Sequence, residues 1–212
     1  MDSDQDATGW FEPLYAAAEA GDAVVPWHRG APSPHLVEWT AARALDGRGA
    51  RAVVVGSGLG DDAEHVASLG FDTVAFDIAP SAVRGARRRF PSSRVEYVVA
   101  DLLDPPAEWL RAFDLVVENI TVQALPDPPR ATAIANVARL VAPGGTLLVL
   151  AAAREPDEPA DGPPWPLTRA EVEAFARGGA LETVGIEDLR GQAPPWGHRW
   201  RAEFRDEPME RG

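Results

Sequence analysis

The sequence predicts an α/β fold: a doubly wound, Rossmann-like and mostly parallel sheet with helices on both faces, a closing β-hairpin and an N-terminal helical lid. Three observations carry this. The stretch Ala52 to Asp77, AVVVGSGLGDDAEHVASLGFDTVAFD, reads as strand, glycine turn, helix and a second strand that ends in an acid. Downstream, apolar runs at Val95 to Ala100, Phe113 to Glu118 and Thr146 to Ala151 alternate with segments of helical pattern, as βαβ units do. The strands Thr183 to Leu189 and Arg199 to Phe204 then complete the sheet as a hairpin.

Each element follows from local chemistry. Residues Met1 to Thr8 are polar and acidic and are expected to be disordered. From Gly9, WFEPLYAAAEAGD runs into an alanine-rich helix that Gly21 ends. A proline-punctuated loop within AVVPWHRGAPSPHLVEW leads to a helix from about Ser33, with Ser33 suited to its cap and Pro34 to its first turn. Ala52 to Val55 is β-branched and too short for a helix, so it reads as a buried parallel strand. Gly56, Gly58 and Gly60 follow at once. Glycine tolerates positive φ and lets a ligand touch bare backbone, and the helix after it offers unpaired N–H groups at its start. Ala79 to Phe90 reads as a helix, and Pro128 and Pro129 open another that ends before Pro143-Gly144-Gly145. Arg154 to Pro166 is a proline-rich loop with no core of its own, of the functional or mobile kind, and a helix over Thr168 to Ala176 follows it. The chain is expected to form one domain, residues 1–212, with a cap at 9–45, a cofactor-binding core at 51–152 and a C-terminal loop, helix and closing strands at 153–212.

Composition excludes several function classes. The 212 residues contain no cysteine, so a cysteine nucleophile and thiolate metal sites are ruled out, and no metal is expected. All 20 basic residues are arginine. Schiff-base chemistry, pyridoxal phosphate attachment and a P-loop lysine are therefore impossible. A net charge of −13 would repel a nucleic-acid backbone, so nucleic acid is not an expected partner. The arginines from Arg84 to Arg89 read as a solvated helix face. No apolar run is long enough to span a bilayer and no secretory leader is read, so the expected setting is cytoplasmic, away from membranes, as a monomer or homodimer.

The glycine turn points to a nucleotide-type cofactor, and its neighbours choose among them. Asp77 lies about twenty residues beyond Gly56, where an acid accepts the hydroxyls of an adenosine ribose. A dinucleotide fingerprint would place Gly or Ala at position 61, whereas the chain has Asp61 and Asp62. Each would repel a pyrophosphate by roughly 4 kcal/mol at about 4 Å and an effective dielectric of about 20. S-adenosylmethionine carries no phosphate and is cationic at its sulfonium and ammonium. The acidic turn favours it over NAD. The alternatives are an NAD-dependent oxidoreductase and a glycine turn with no cofactor.

These residues resemble the class I S-adenosylmethionine-dependent methyltransferases, and within them the thiopurine S-methyltransferase-like branch. The class-level likeness lies in VVVGSGLG, the Asp77 acid, the Asp101 turn and LVAPGGTLLVL. The branch-level likeness rests on PWHRGAPSPHL, ALPDPPR at Ala124 to Arg130, and DGPPWPLTRAEVEAF at Asp161 to Phe175. Val54 stands where most class I enzymes carry an acid, as it commonly does in this branch, which leaves the methionine amino group to backbone carbonyls and other side chains. The resemblance implies transfer of a methyl group to a small-molecule S, N or O acceptor by in-line SN2 displacement, with S-adenosyl-L-homocysteine as product. A non-catalytic, regulatory S-adenosylmethionine-binding protein is the alternative.

The candidate cofactor contacts are Gly56, Ser57 and Gly58 in the turn, Asp77 and Ile78 for the ribose, and Asp101 with Leu102 for adenine. Glu118 and Asn119 stand at the mouth of the fourth strand, where Glu118 is placed to meet the methionine end or the acceptor, or to be a solvated strand terminus. Trp10 and Trp27 resemble the branch's aromatic walls, and Arg130 its arginine near the active site. His28, beside Trp27, is the candidate base among the four histidines; His35, His65 and His198 read as structural or solvated.

Overall fold

The structure, a computed structural model, describes residues 7–191 and 197–207. Residues 1–6 of the segment expected to be disordered lie outside the described residues, and the Thr8 carbonyl accepts the Phe11 N–H at 3.2 Å. The chain divides into two compact units, Met1–Asp101 and Leu102–Gly212. Among the described residues there are six α-helices and seven strands, so the predicted α/β class holds.

The first unit comprises α1 (Phe11–Ala20), α2 (Pro34–Ala42), β1 (Arg51–Val55), α3 (Asp61–Ser68), β2 (Asp72–Asp77), α4 (Pro80–Arg89) and β3 (Glu96–Val99). Its strands are parallel in the order β3-β2-β1, with Val53 opposite Val74 and Phe76 opposite Val98. Ala52 to Val55 and Thr73 to Asp77 are buried without alternation, because a parallel strand is covered on both faces. Helix α1 docks on α4 through chemistry at both of its ends. Near its start, the Glu12 carboxylate accepts the Ser81 backbone N–H at 2.9 Å and the Ser81 hydroxyl at 2.6 Å, which caps the first turn of α4. Near its end, Glu19 pairs with Arg84 at 3.2 Å and Arg88 at 2.5 Å. The arginine run is exposed, as expected, yet each member also ties α4 to a neighbour. Arg87 donates to the Tyr97 carbonyl, and Arg89 pairs with Asp61 at 2.7 Å.

The second unit comprises two short 3-10 turns, Ala107–Trp109 and Val122–Ala124, with β4 (Phe113–Asn119), α5 (Pro129–Arg139), β5 (Val141–Ala152), α6 (Arg169–Gly179), β6 (Glu182–Arg190) and β7 (His198–Arg205). The strand order is β4-β5-β7-β6: β4 and β5 are parallel, and β7 runs antiparallel to both β5 and β6. The closing hairpin is therefore present, with its second strand next to β5. Strand β5 starts five residues earlier than expected, because Val141 pairs with Phe113 before the Pro143-Gly144-Gly145 bulge interrupts the register. Helices α5 and α6 approach so closely that a Cβ on Gly179 would stand 2.8 Å from the Ala138 carbonyl oxygen.

The proline-rich loop is fastened more firmly than its sequence suggests. Proline has no N–H, but its carbonyls and those of its neighbours still need donors. Arginine supplies one: Arg154 Nε donates to the Pro166 carbonyl at 2.9 Å. The Trp165 N–H donates to the Gln123 carbonyl at 2.7 Å, and the buried Gln123 side chain accepts the Ala152 N–H at 2.8 Å. Arg130, buried on α5, donates to the Leu125 carbonyl at 2.9 Å and to Glu171 at 3.2 Å, and stacks over Trp165 at 5.5 Å.

Glu171 is the hinge pin of this region. It completes a capping box with Thr168 and also receives Arg130 at 3.2 Å and Arg154 at 3.3 Å. Replacing it with alanine removes the reciprocal half of the capping box and leaves buried Arg130 with the more distant, exposed Asp127 carboxylate at 3.6 Å, so Glu171→Ala is expected to destabilise the protein by about 2 to 4 kcal/mol. Glu171→Gln keeps the cap and should lose less than half of that. Urea unfolding of both variants checks the order, and equal losses would mean that charge, not capping, dominates.

Candidate cofactor site

In the first unit, a single carboxylate holds the glycine turn in place. The Asp77 side chain is only 5% exposed; one oxygen accepts the Gly58 N–H at 2.9 Å and the other the Ala79 N–H at 2.9 Å. Burial pushes its pKa up to about 6, against the pull of the Ala79 and Gly58 N–H groups. The Ile78 N–H also acts on it, and the carboxylate keeps acceptor capacity for a further donor. The Ser57 N–H bonds the Phe76 carbonyl at 2.8 Å, while the buried Ser57 hydroxyl has no hydrogen-bond partner among the described residues. Gly56 and Gly58 have φ of 57° and 52°, in the left-handed region.

Gly58 has a second reason to lack a side chain. A Cβ there would stand 2.8 Å from the Tyr15 hydroxyl. Tyr15 is the buried residue of α1, and its hydroxyl accepts the Trp27 indole N–H at 2.9 Å. Burial raises its pKa, helped by the nearby Asp77 charge. Trp10 stacks on Phe11 at 4.0 Å and meets Trp27 edge-on at 5.8 Å. The N-terminal aromatic residues are thus assembled against the glycine turn, with Tyr15 as the contact. Sequence reasoning named Trp10 and Trp27 and missed Tyr15, although its place one helical turn after Phe11 was a usable signal.

Other residues of this unit fall elsewhere. His28 is exposed and places Nδ1 3.3 Å from the Asp61 carboxylate, which also receives Arg89 at 2.7 Å. Asp62 accepts the Ser33 N–H at 2.6 Å. Both acids thus have structural partners, so the repulsion expected of the Asp61-Asp62 turn is largely offset by charges and donors remote in sequence. Ile78 and Asp101 are half-buried, and the Ala100 N–H, just before Asp101, bonds the Asp77 carbonyl at 3.1 Å.

In the second unit, Glu118 at the end of β4 is fully buried rather than a solvated terminus. Its Oε1 accepts two backbone N–H groups, from Thr121 at 2.6 Å and Val122 at 3.0 Å. Burial raises its pKa to about 7, and the Arg199 guanidinium on β7 is among the groups that oppose the shift. Arg199 itself donates to the Asn119 side-chain oxygen at 3.1 Å. Leu102 is buried, and its carbonyl accepts the Asn136 amide at 2.9 Å. Arg130 donates to the Leu125 carbonyl and to Glu171, and lies 3.6 Å from the Asp127 carboxylate. Glu155, Asp188 and His198 bring three groups of metal-ligating type within 4.8 Å of one another, but Arg190 pairs with both carboxylates.

Residues 52–145 match a family described as a methyltransferase domain. A ubiquinone biosynthesis O-methyltransferase of Xanthomonas oryzae pv. oryzae is 38% identical over 127 residues, which are 58% of this chain and 52% of the relative. The chain spans about half the length of the curated relatives it matches. Among solved structures, the 1,6-didemethyltoxoflavin-N1-methyltransferase of Burkholderia thailandensis, with 1,6-didemethyltoxoflavin and S-adenosylhomocysteine bound, has a TM-score of 0.68 at 16% identity, covering 95% of this chain and 87% of that one. The cyclase SpnF has a TM-score of 0.70 at 19% identity, covering 94% and 95%. At those identities the two structures show the Rossmann-like fold, and the family match is confined to residues 52–145. Residues 52–145 are thus similar to a methyltransferase domain, set in a fold that solved methyltransferases share.

Proposed function

We propose that the protein transfers a methyl group from S-adenosylmethionine to a sulfur, nitrogen or oxygen nucleophile of a small molecule. The observation that carries this reading is the Gly56-Ser57-Gly58 turn fastened to buried Asp77, with spare acceptor capacity on the carboxylate and a partnerless Ser57 hydroxyl. These groups fit the adenosine and methionine parts of that cofactor: hydroxyl donors for Asp77, and an acceptor or donor for Ser57. When bound, the cofactor supplies an electrophilic methyl on a sulfonium whose departure as a thioether is already favourable. The protein's task is then to align the acceptor and keep water away.

The residue roles follow that division. Asp77 accepts the ribose hydroxyls, with Ile78 beside it, and Asp101 with Leu102 flanks adenine. The aromatic group of Trp10, Trp27 and Tyr15 walls the turn, where a ring face suits a sulfonium. Glu118 and Asn119 serve the methionine end or the acceptor. Arg130 and His28, committed to Glu171 and Asp61, act by holding structure around the site. Small-molecule acceptors are supported by the names of the relatives, which include an O-methyltransferase and an N-methyltransferase. The thiopurine-like motifs near Trp27, Arg130 and Trp165 support a reading that extends to thiols.

Calorimetry tests the cofactor directly. S-adenosylhomocysteine is expected to bind in the low-micromolar range or tighter, and NAD to give no heat; the reverse result would sink the reading. Asp77→Ala should weaken that binding by about 1 to 3 kcal/mol through unpaired ligand hydroxyls. Because Asp77 also holds two backbone N–H groups, the same variant is expected to lose a comparable amount of stability without ligand, measured by urea unfolding. A variant of unchanged stability would mean that the turn closes without its carboxylate. Hydrogen exchange over residues 10–29 should slow when S-adenosylhomocysteine is added, while the strand from Thr146 to Leu150 hardly changes. Equal exchange in both states would remove the aromatic segment from the cofactor site.

A further inference from the structure

We propose that Glu118 is the general base of this protein and that it fits the site to acceptors that must lose a proton, O–H or N–H groups of phenol or amine type. This deepens the methyltransferase reading and rests on it. Three structural observations converge on Glu118. Its side chain is 0% exposed, so the charge of its carboxylate is desolvated. Its two oxygens are treated differently: Oε1 is fixed by the Thr121 and Val122 N–H groups, whereas buried Oε2 has no hydrogen-bond partner among the described residues. An unpaired buried acceptor is expensive to keep, by about 1 to 3 kcal/mol. The backbone next to it is also strained, since Ile120 adopts φ of 66°, a left-handed conformation that a β-branched residue avoids. Unpaired polar atoms and strained backbone at the carboxyl end of a strand in such a sheet are where ligands bind.

The electrostatic surroundings agree with a proton-accepting role. On β5, the residue paired with Glu118 is Val149, next to Leu150; both are apolar. The 3-10 turn presents backbone N–H groups rather than a charge. Arg199 of β7 is the charged group acting on Glu118 among the described residues, and it favours the carboxylate, while burial favours the acid and lifts the pKa to about 7. A carboxylate balanced near neutrality both accepts a proton and gives it up again. In the transfer, the acceptor's O–H or N–H bond breaks and its proton moves to Oε2. The electron pair of the acceptor atom forms the new bond to the methyl carbon. The methyl–sulfur bond breaks with its electrons on sulfur, giving a neutral thioether. The Glu118 acid then releases its proton to solvent when product leaves.

The test uses the full chain, S-adenosylmethionine with a labelled methyl group, and three acceptors: catechol, aniline and thiophenol. Thiophenol is ionised at neutral pH and needs no base. Glu118→Gln keeps an oxygen for the Thr121 and Val122 N–H groups but cannot take a proton. It is expected to lower the rate with catechol about 100-fold or more, within the range general bases supply, while thiophenol changes no more than about threefold. Equal losses with catechol and thiophenol, or unchanged catechol transfer, would overturn the assignment. In the wild type, kcat/KM for catechol should rise with pH through about 7, as the carboxylate forms, and that for thiophenol should be flat there; parallel profiles would overturn it even if Glu118→Gln fails to fold. Wild-type transfer to thiophenol alone would refute the acceptor class yet leave the methyltransferase reading intact. Transfer to none of the three by a protein that binds S-adenosylhomocysteine would count against both.

Discussion

Much of the first unit depends on one carboxylate. Asp77 sits at the end of β2 and receives an N–H from Gly58 in the β1–α3 turn and another from Ala79 in the β2–α4 turn. Two loops that are remote in sequence are thereby locked to the same atom group. Burial lifts the pKa from 3.8 to about 6. The folded state thus binds this proton more tightly than the unfolded chain does. The group contributes its full stability below pH 3.8 and loses it as pH rises through about 6. At neutral pH the ionised form is carried at a disadvantage of about 3 kcal/mol, from roughly 1.4 kcal/mol per pH unit. The Gly58 and Ala79 N–H groups that it accepts keep the acid in place despite that disadvantage. A ligand that donates hydroxyls to the same oxygens relieves it, so burial and binding are two aspects of one arrangement.

Arginine has a different part in each region of the molecule. With no lysine, every cation is a planar fork able to serve two carboxylates or a carbonyl and a carboxylate together. On α4 this joins helices: Arg84 and Arg88 share Glu19, and Arg89 reaches both the Leu59 carbonyl and Asp61. In the proline-rich region, Arg154 and Arg130 supply donors for carbonyls that proline-rich backbone cannot match. The exposed pairs on α4 add little energy individually. The buried Arg130 is different, because loss of Glu171 leaves its charge in a desolvated site with only the more distant, exposed Asp127 carboxylate at 3.6 Å.

The sequence was a good guide wherever the information was local. Period, β-branching and glycine placed β1 and β2 within a residue of their observed ends, and the helix read from Thr168 starts one residue before α6. What escaped it depended on distant partners. Asp61 and Asp62 look like bare negative charge in sequence, yet Arg89, His28 and Ser33 answer them from other elements. Pro143-Gly144-Gly145 reads as a break, but β5 continues through it as a bulge because Phe113 is available to pair with Val141. Tyr15 looks like one aromatic among several on an alanine-rich helix. Its importance lies in meeting Gly58, more than forty residues away, and no periodicity reports that contact. The candidate roles of Trp10, Trp27, Ile78, Asp101 and Asn119 rest on resemblance and placement together.

The fold alone does not decide chemistry. SpnF, a cyclase, shares it over nearly the whole chain. A sulfonium methyl group needs no nucleophilic side chain and no metal from the protein, so the cofactor half of such a domain says little about the acceptor. Discrimination must lie with groups that treat acceptors differently. An ionised thiol needs only alignment, whereas a hydroxyl or amine must also lose a proton at the moment of transfer. At the end of β4, Glu118 presents one immobilised oxygen and one without a protein partner, beside an isoleucine in a conformation that its side chain disfavours. Neither feature improves packing. Both are stability forgone at one point, and the chemistry that makes such a concession useful is the movement of a single proton to a desolvated carboxylate.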